Sequence, residues 1–343
     1  MDCNHLLKLG MNAKKLLENG KGILAADETP CTLGKRFSNL GIENTAENRR
    51  RFRELLFGAE QIDKYISGVI FHEEALGQTD NNGSMLTGVL LKKNIAIGIK
   101  LDKGLIDYKE REKISVGLED LDLRCKSPEF KDVTFAKWRS LFYFDNEIPS
   151  QDCINDNCEV LAKYAITCQK NGLVPIVEPE IFFEGDYTIE RAFEMSRRIL
   201  STLVMYLNYE SVYMPGLLIK PSFVTAGSIN SSECTPRKVA SLTFKALLST
   251  IPCAVPGIVF LSGGQGTENA MKYLNALNLE RGCRTWALSF SFARALTQNV
   301  LEAWAGIDEN VPEAQRILLE NVLMASKASN GELKVLDAEC IDE

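Results

Sequence analysis

The sequence contains little histidine and no closely paired cysteines. Only His5 and His72 occur among 343 residues, and they lie too far apart for a local metal-binding motif. The ten cysteines form no CxxC pair. A zinc or non-haem iron centre is therefore not expected. We expect no metal site, and chemistry that depends on lysines, carboxylates and hydroxyls.

Long apolar runs and an excess of basic charge are also absent. The longest apolar run, around residues 251–261, is interrupted by Pro252 and Pro256, so no membrane association is expected. The N-terminus has no signal-peptide core and shows the pattern of an amphipathic helix. A net charge of −7 gives no support to nucleic-acid binding. Together with the unpaired cysteines, this composition predicts a cytoplasmic protein.

Short apolar segments bounded by turn or charge signals recur eight times. Near-continuous apolar runs of this length are typical of parallel strands that are buried on both faces. The segments are residues 22–27, 66–72, 95–102, 134–139, 174–180, 216–221, 257–264 and 285–291.

Helical patterns separate most of these segments. Asn44 is predicted to cap a helix, with Glu47 three residues further on. Thr235 is predicted as another N-cap, followed by Pro236 at the first helical position. Eight strands that alternate with helices predict an α/β fold, a single (β/α)8 TIM barrel. We expect one catalytic domain over residues 1–330 and a short acidic C-terminal tail over residues 331–343.

An apolar run ends in a lysine at Gly216–Pro221. Lys220 would lie at a strand end, because Pro221 cannot continue the hydrogen-bond ladder. A lysine between apolar walls loses hydration, which lowers its pKa and leaves some free amine to form a Schiff base with a ketone. The alternative is a lysine that extends from the strand end into solvent.

Charged residues end six of the eight predicted strands. In a barrel, the carboxyl ends of the strands face the active-site mouth. Each residue could simply be solvated at a loop start, but a ring of alternating sign suggests mutual pairing that holds pKa values in a useful range. The strand-end residues are Asp27, Lys100, Lys137 with Arg139, Glu178 with Glu180, Lys220, Ser262 with Gly263-Gly264, and Arg294 just past the eighth strand.

The glycine turn after the seventh strand predicts a phosphate site. Backbone N–H groups of Ser262, Gly263 and Gly264, and the N-terminus of the following helix, would supply the donors. Arg294, after the eighth strand, could clamp the same phosphate.

Eight strings of the sequence resemble class I fructose-1,6-bisphosphate aldolases, in that family's order and spacing from about residue 5 to 330. They are GILAADET, NTAENRR, GIKLDKG, FAKWR, NGLVPIVEPEI, LLIKPS, FLSGGQ and WALSFSFARAL. The resemblance implies a glycolytic lyase that reversibly cleaves fructose 1,6-bisphosphate into dihydroxyacetone phosphate and glyceraldehyde 3-phosphate. A protonated imine would serve as the electron sink, so no metal or other cofactor is implied.

The resemblance also implies a role for each catalytic position. Lys220 would be the Schiff-base lysine, and Glu178 the general acid and base of carbinolamine dehydration, with Glu180 beside it. Lys137 would stabilise charge near the carbinolamine and keep the pKa of Lys220 depressed. Asp27 would take the proton of the C4 hydroxyl during cleavage.

Two phosphate-binding sets follow from the same resemblance. The ketone-side set is Ser262, Gly263, Gly264, Ser291 and Arg294. The aldehyde-side set is Lys100, Thr29, Thr32 and Arg36, and Arg139 is assigned to substrate binding as well.

Some positions depart from the family pattern. Pro215 stands where an acidic residue is common, Ala293 replaces a glycine and Phe292 replaces a tyrosine. Animal-type members end in a tyrosine that folds over the site, whereas the last tyrosine here is Tyr273. The family's tail mechanism is therefore not expected here.

Parts of this pattern are also compatible with other functions. A transaldolase or a deoxyribose-phosphate aldolase would also use a Schiff base in a barrel, but two phosphate regions favour a bisphosphate. A barrel retained only to bind actin or another acidic polymer would have lost catalysis, yet every matched catalytic position is present. The family also implies a homotetramer, and a cytoskeletal role beside catalysis stays open, as does the preference between fructose 1,6-bisphosphate and fructose 1-phosphate.

Overall fold

A closed barrel of eight parallel strands forms the centre of the molecule. The computed structural model describes residues 1–145, 148–280 and 282–334. The barrel strands are β1 Gly22–Ala26, β2 Ile66–Phe71, β3 Ala96–Lys100, β6 Val133–Phe142, β7 Val174–Ile181, β8 Leu218–Ile219, β9 Gly257–Phe260 and β10 Ala287–Phe292. They follow one another around the barrel in this order, and β10 pairs with β1. Each overlaps one of the eight predicted segments, so the predicted (β/α)8 barrel is confirmed.

Helices alternate with the strands, as predicted. They are α1 Cys3–Lys15, α2 Pro30–Ser38, α3 Ala46–Gly58, α4 Glu73–Leu76, α5 Leu86–Lys92, α6 Leu121–Cys125, α7 Gln151–Lys170, α8 Ile189–Tyr209, α9 Pro236–Thr250, α10 Gly266–Leu279, α11 Arg294–Trp304 and α12 Val311–Ser329. In the parts of the chain that the structure describes, none of them has the length and apolarity of a membrane-spanning helix.

Two hydrophobic layers explain why the strands are apolar at nearly every position. An inner cluster fills the barrel and includes Ile23, Ile70, Phe135 and Ile176 from alternate positions of four strands. The intervening residues belong to a larger cluster between the strands and the helices. Gly98 leaves room for the ring of Phe135, because a Cβ at this position would lie 2.3 Å from it.

Helix α1 covers the amino-terminal end of this inner cluster. Leu9, Ala13 and Leu16 are buried in the same cluster as the barrel-filling side chains. Because this end of the barrel is filled by apolar groups, polar chemistry is confined to the opposite end, where the strands terminate.

One feature between β3 and β6 was not predicted. Strands β4 (Leu105–Asp107) and β5 (Lys113–Ser115) form an antiparallel hairpin outside the barrel. Each strand has only three residues, and Asp107 forms an ion pair with Lys113. Strands this short do not show the alternation that would identify them in a sequence.

Of the two predicted helix caps, one is confirmed and one is wrong. The side chain of Thr235 accepts the backbone N–H of Lys238 at 3.3 Å. The cap of α3, however, is Thr45, whose hydroxyl accepts the backbone N–H of Asn48 at 3.0 Å. The side chain of Asn44 instead donates to the carbonyl of Pro30. Most of the predicted tail, residues 335–343, lies outside the described residues.

Candidate active site

Four charged side chains from four strand ends meet inside the barrel. The Lys137 Nζ atom lies 2.7 Å from Asp27 Oδ2 and 3.2 Å from Glu178 Oε2. The Lys220 Nζ atom lies 3.0 Å from Glu178 Oε1. All four side chains are buried, at 4–8% exposure. Glu178 therefore bridges two lysines, only one of which also contacts Asp27.

Alternation along the strands brings these residues together. Phe135 and Ile176 face the barrel interior, so the same faces of β6 and β7 carry Lys137 and Glu178 two residues further on. Leu218 of β8 also faces the barrel interior, so Lys220, two residues further on, lies on the same inward face. On each of these strands a charged residue comes two positions after the last side chain of the inner cluster, at the strand end that faces the barrel mouth.

Mutual pairing fixes the charges of the cluster. Burial opposes ionisation of Asp27 and Glu178, but the ammonium groups of Lys137 and Lys220 outweigh it and hold both pKa values below the ordinary range. Burial likewise disfavours the charge on Lys137, yet its two carboxylate partners raise its pKa far above the ordinary value. Lys137 thus remains protonated at neutral pH, between two carboxylates that remain ionised.

Glu180, two residues after Glu178 on β7, behaves differently. Burial raises its pKa, and although Arg139 lies 3.3 Å away and opposes this, the nearby charge of Glu178 adds to the increase. Two neighbouring carboxylates therefore differ in their readiness to hold a proton, which is a common property of sites that perform acid–base chemistry.

The predicted ketone-side phosphate residues also lie close together. Gly263 and Gly264 have φ angles of +49° and +83°, a left-handed turn between β9 and α10 that favours glycine. A Cβ on Gly264 would lie 3.7 Å from Arg294 Nη2. The hydroxyl of Ser291 is buried and has no hydrogen-bond partner among the described residues. Such an unsatisfied donor is suited to a ligand oxygen.

The predicted aldehyde-side residues form two separate groups. Lys100 Nζ donates to the carbonyl and to Oδ1 of Asp102, both at 2.6 Å. The Thr29 and Thr32 hydroxyls lie 3.0 Å apart at the start of α2. Arg36 is buried and donates to Glu28 and to the Thr297 carbonyl. Within the described residues, no hydrogen bond or ion pair joins Lys100 to residues 29–36.

Two residues near this side were missed from the sequence. Asp102 is buried, and its second oxygen accepts the backbone N–H of Arg139 at 3.2 Å, so it links β3 to β6 as well as holding Lys100. His72 directly follows β2. Two signals in the sequence could have identified these residues. His72 lies at the end of an apolar segment, and Asp102 is two residues from Lys100.

No group of three histidine, cysteine, aspartate or glutamate side chains that could hold a metal ion occurs in the described ranges. The cluster at the mouth instead pairs its carboxylates with lysines.

Comparison with known proteins gives a consistent result. The family model described as "Fructose-bisphosphate aldolase class-I" matches residues 8–340. A fructose-bisphosphate aldolase of Encephalitozoon cuniculi is 68% identical over 333 residues, which cover 97% of this chain and 98% of the relative. "Fructose-bisphosphate aldolase 4, cytosolic" of Arabidopsis thaliana is 43% identical over 325 residues, with 94% and 83% coverage.

The fold comparison agrees with the sequence comparisons. A solved structure of the Plasmodium falciparum fructose-bisphosphate aldolase, in complex with TRAP and a small-molecule inhibitor, superposes with a TM-score of 0.95 at 42% identity. The match covers 98% of this chain and 97% of that one.

Proposed function

The chain belongs to the class I fructose-bisphosphate aldolase family, and from this premise we propose which of its residues perform the reaction. The protein is a lyase that reversibly cleaves fructose 1,6-bisphosphate into dihydroxyacetone phosphate and glyceraldehyde 3-phosphate. The observation that supports the assignment best is the Glu178 carboxylate, which contacts both Lys220 and Lys137 within one buried cluster.

Lys220 is the proposed nucleophile. It contacts one carboxylate, which it shares with Lys137, whereas Lys137 lies between two carboxylates that raise its pKa. A protonated amine has no lone pair for attack, so Lys137 cannot compete for the ketone. Lys220 can transfer its proton to Glu178 at 3.0 Å and then attack C2 of the substrate.

Glu178 is the proposed proton carrier of Schiff-base formation. Attack by Lys220 forms a C–N bond and breaks the C=O π bond, and one proton moves from the new C–N nitrogen to the former carbonyl oxygen to give a carbinolamine. Glu178 returns a proton to that hydroxyl, water leaves, and a protonated imine remains. Lys137 stabilises negative charge on the oxygen while the carbonyl bond is broken, because its ammonium group lies beside Glu178.

Asp27 is the proposed base of carbon–carbon cleavage. Its depressed pKa keeps it ionised, ready to accept the C4 hydroxyl proton. As that proton leaves, the C4–O bond becomes a carbonyl, the C3–C4 bond breaks, and its electron pair moves into the imine to form an enamine. Glyceraldehyde 3-phosphate is released, and protonation of the enamine followed by hydrolysis releases dihydroxyacetone phosphate.

The two phosphates are proposed to bind at opposite sides of Lys220. Ser291 and Arg294, with the turn at Ser262–Gly264, would hold the ketone-side phosphate. Lys100 would hold the aldehyde-side phosphate, aided by Arg139. Thr29, Thr32 and Arg36 stay predictions, because Arg36 must exchange its contact with Glu28 before it can reach a ligand.

Borohydride trapping tests this assignment. Reduction in the presence of dihydroxyacetone phosphate should attach one triose phosphate to each chain, at Lys220. A label at Lys137 or Lys100, with Lys220 unmodified, would refute the proposed nucleophile. The absence of any label would instead favour a barrel that only binds its partners.

The reaction is proposed to need no metal, because the protonated imine supplies the electron sink. Activity should therefore be unchanged after exhaustive treatment with EDTA. Complete loss that is restored by zinc would contradict the proposal. Assembly as a homotetramer and residence in the cytoplasm are further proposals from the family, to be checked by light scattering and by imaging of a tagged protein.

A further inference from the structure

His72 lies in the same row of the barrel as two proposed site residues. The last residue of β2 pairs with Ala26 in β1 and with Ile99 in β3. Because the strands are parallel, the next residue of each strand continues the row, so His72 stands between Asp27 and Lys100. Neighbouring strands lie about 4.8 Å apart. His72 is thus placed between the proposed C4 base and the proposed phosphate lysine.

The face of the strand and the state of the ring are also defined. Ile70, two residues earlier, faces the barrel interior, so the alternation along the strand places His72 on the face that lines the barrel mouth. The ring is half-buried, and its Nδ1 accepts the backbone N–H of Glu74 at 3.2 Å, at the start of α4. In the neutral ring the proton is therefore on Nε2. Among the described residues, this Nε2 has no hydrogen-bond partner.

Charges around the ring favour the neutral form until an anion arrives. Burial lowers the pKa of His72, and so do the cations Arg53, from α3, and Lys100, from β3. The carboxylates Glu74 and Glu73 of α4 oppose this shift and do not cancel it. A phosphate dianion beside Lys100 would reverse the local field and raise the pKa of the ring.

We propose that His72 belongs to the aldehyde-side subsite and donates its Nε2–H to the C6 phosphate of the substrate. This inference rests on the proposed function, since the C6 phosphate belongs to the proposed substrate. His72 would be a hydrogen-bond donor close to Lys100 on the aldehyde side. No hydrogen bond or ion pair between described residues joins Lys100 to residues 29–36 there. The neutral ring can already donate this bond; protonation of Nδ1 adds a positive charge that attracts the phosphate and strengthens binding, and it ends the hydrogen bond that Nδ1 accepts from the Glu74 N–H.

Two substitutions distinguish the capping role of His72 Nδ1 from the donor role of its Nε2. His72→Asn keeps an oxygen near the position of Nδ1, so the contact with Glu74 N–H is retained and the Nε2 donor is lost. His72→Gln can place its amide nitrogen near the position of Nε2, while it loses the cap. Fructose 1-phosphate, which has no C6 phosphate, is the matched control substrate.

The expected result is a selective loss. H72N should lower kcat/KM for fructose 1,6-bisphosphate about tenfold or more, as for a lost hydrogen bond to a charged group, and leave that for fructose 1-phosphate within twofold. H72Q should recover most of the bisphosphate activity. Equal losses for both substrates in H72N, or no loss for either, would overturn the proposal.

A pH series supplies a second readout. Substrate that raises the pKa of His72 must bind more tightly as the pH falls through the interval between the bound and free pKa values. Phosphate itself titrates near pH 6, so the wild-type dependence is compared with that of H72N, in which only the histidine contribution is missing. Identical curves would contradict the proposal. Trapping of dihydroxyacetone phosphate at Lys220 in H72N shows whether the Schiff-base function holds independently.

Discussion

Two charge clusters of this protein, one buried and one partly exposed, are each built around a glutamate and have opposite chemical character. In the barrel mouth, Glu178 lies between the ammonium groups of Lys137 and Lys220. Between α3 and α4, Glu74 lies between two guanidinium groups: Arg49 Nε is 3.0 Å from each of its oxygens, and Arg53 Nη1 is 2.7 Å from one. In each cluster one glutamate lies between two cations, and the barrel mouth has Asp27 beside Lys137 as a second carboxylate.

The choice of cation accounts for the difference. Arginine does not release its proton in proteins, so the charges around Glu74 are permanent, and they lower its pKa to about 2. Lysine is a base of ordinary strength whose proton can be transferred to a neighbouring carboxylate. The arginine cluster therefore links α4 to α3 through fixed charges, whereas the lysine cluster can move protons during a reaction.

The largest expected effect comes from making the lysine cluster resemble the arginine cluster. Lys220→Arg keeps a positive charge beside Glu178 but removes the nucleophilic amine. Activity should fall by a factor on the order of 10⁴ or more, the scale seen when a covalent nucleophile is lost. Steady-state kinetics and borohydride trapping measure this. Lys163→Arg, at an exposed lysine of α7, is the control and should leave activity unchanged.

A smaller effect is expected when the shared carboxylate is removed. Glu178→Gln cannot accept the Lys220 proton, so kcat should drop about 10²–10⁴-fold, the usual contribution of general acid–base catalysis. Rapid-quench measurement of imine formation locates the affected step. Glu180→Gln is the matched variant on the same strand and should lose less activity. A larger loss in Glu180→Gln would transfer the proton-carrier role to Glu180.

The equivalent substitution in the arginine cluster should affect folding rather than catalysis. Glu74→Gln leaves Arg49 and Arg53 with uncompensated charges that they cannot lose. The free energy of unfolding should fall by about 2–3 kcal/mol, below the 3–5 kcal/mol of a fully buried pair because Glu74 is partly exposed. Urea denaturation measures the change. Equal destabilisation by Glu178→Gln would show that the two clusters do not differ.

The same variant should change the response of stability to acid. The pKa of Glu74 is about 2 in the folded protein and 4.5 ordinarily, so its contribution is complete above pH 4.5 and is lost as the pH falls toward 2. Glu74→Gln should lack this part of the acid destabilisation. If the wild type and the variant lose stability in parallel between pH 4.5 and pH 2, the role of Glu74 is wrong.

The smallest effect concerns an arginine placed for binding. Arg294→Ala should weaken substrate binding by about 1.5–3 kcal/mol for phosphorylated ketoses, the range of hydrogen bonds to charged groups. Unphosphorylated ketoses should be affected much less. Comparison of KM values between the two substrate classes provides the measurement, and equal losses would show that Arg294 only supports the fold.

Much of the architecture could be predicted because its signals are local. Apolar segments of five to eight residues and the alternation along strands depend on near neighbours, so the strands were found and Lys137, Glu178 and Lys220 were placed at their ends. The cap of α3 was not found, since Asn44 and Thr45 are both good capping residues. Contact of Asn44 with Pro30, fourteen positions away, decided between them.

The sequence by itself determined the barrel, the apolar approach to Lys220 and the absence of a histidine cluster, because each depends on residue type and spacing along the chain. Only the tertiary structure decided that Lys137 contacts two carboxylates, that Arg36 is bound to Glu28 and Thr297, and that the Nε2 of His72 has no hydrogen-bond partner within the described part of the chain. Electrostatic interactions depend on distance in space. Asp27 and Lys137 are 2.7 Å apart only because the barrel closes.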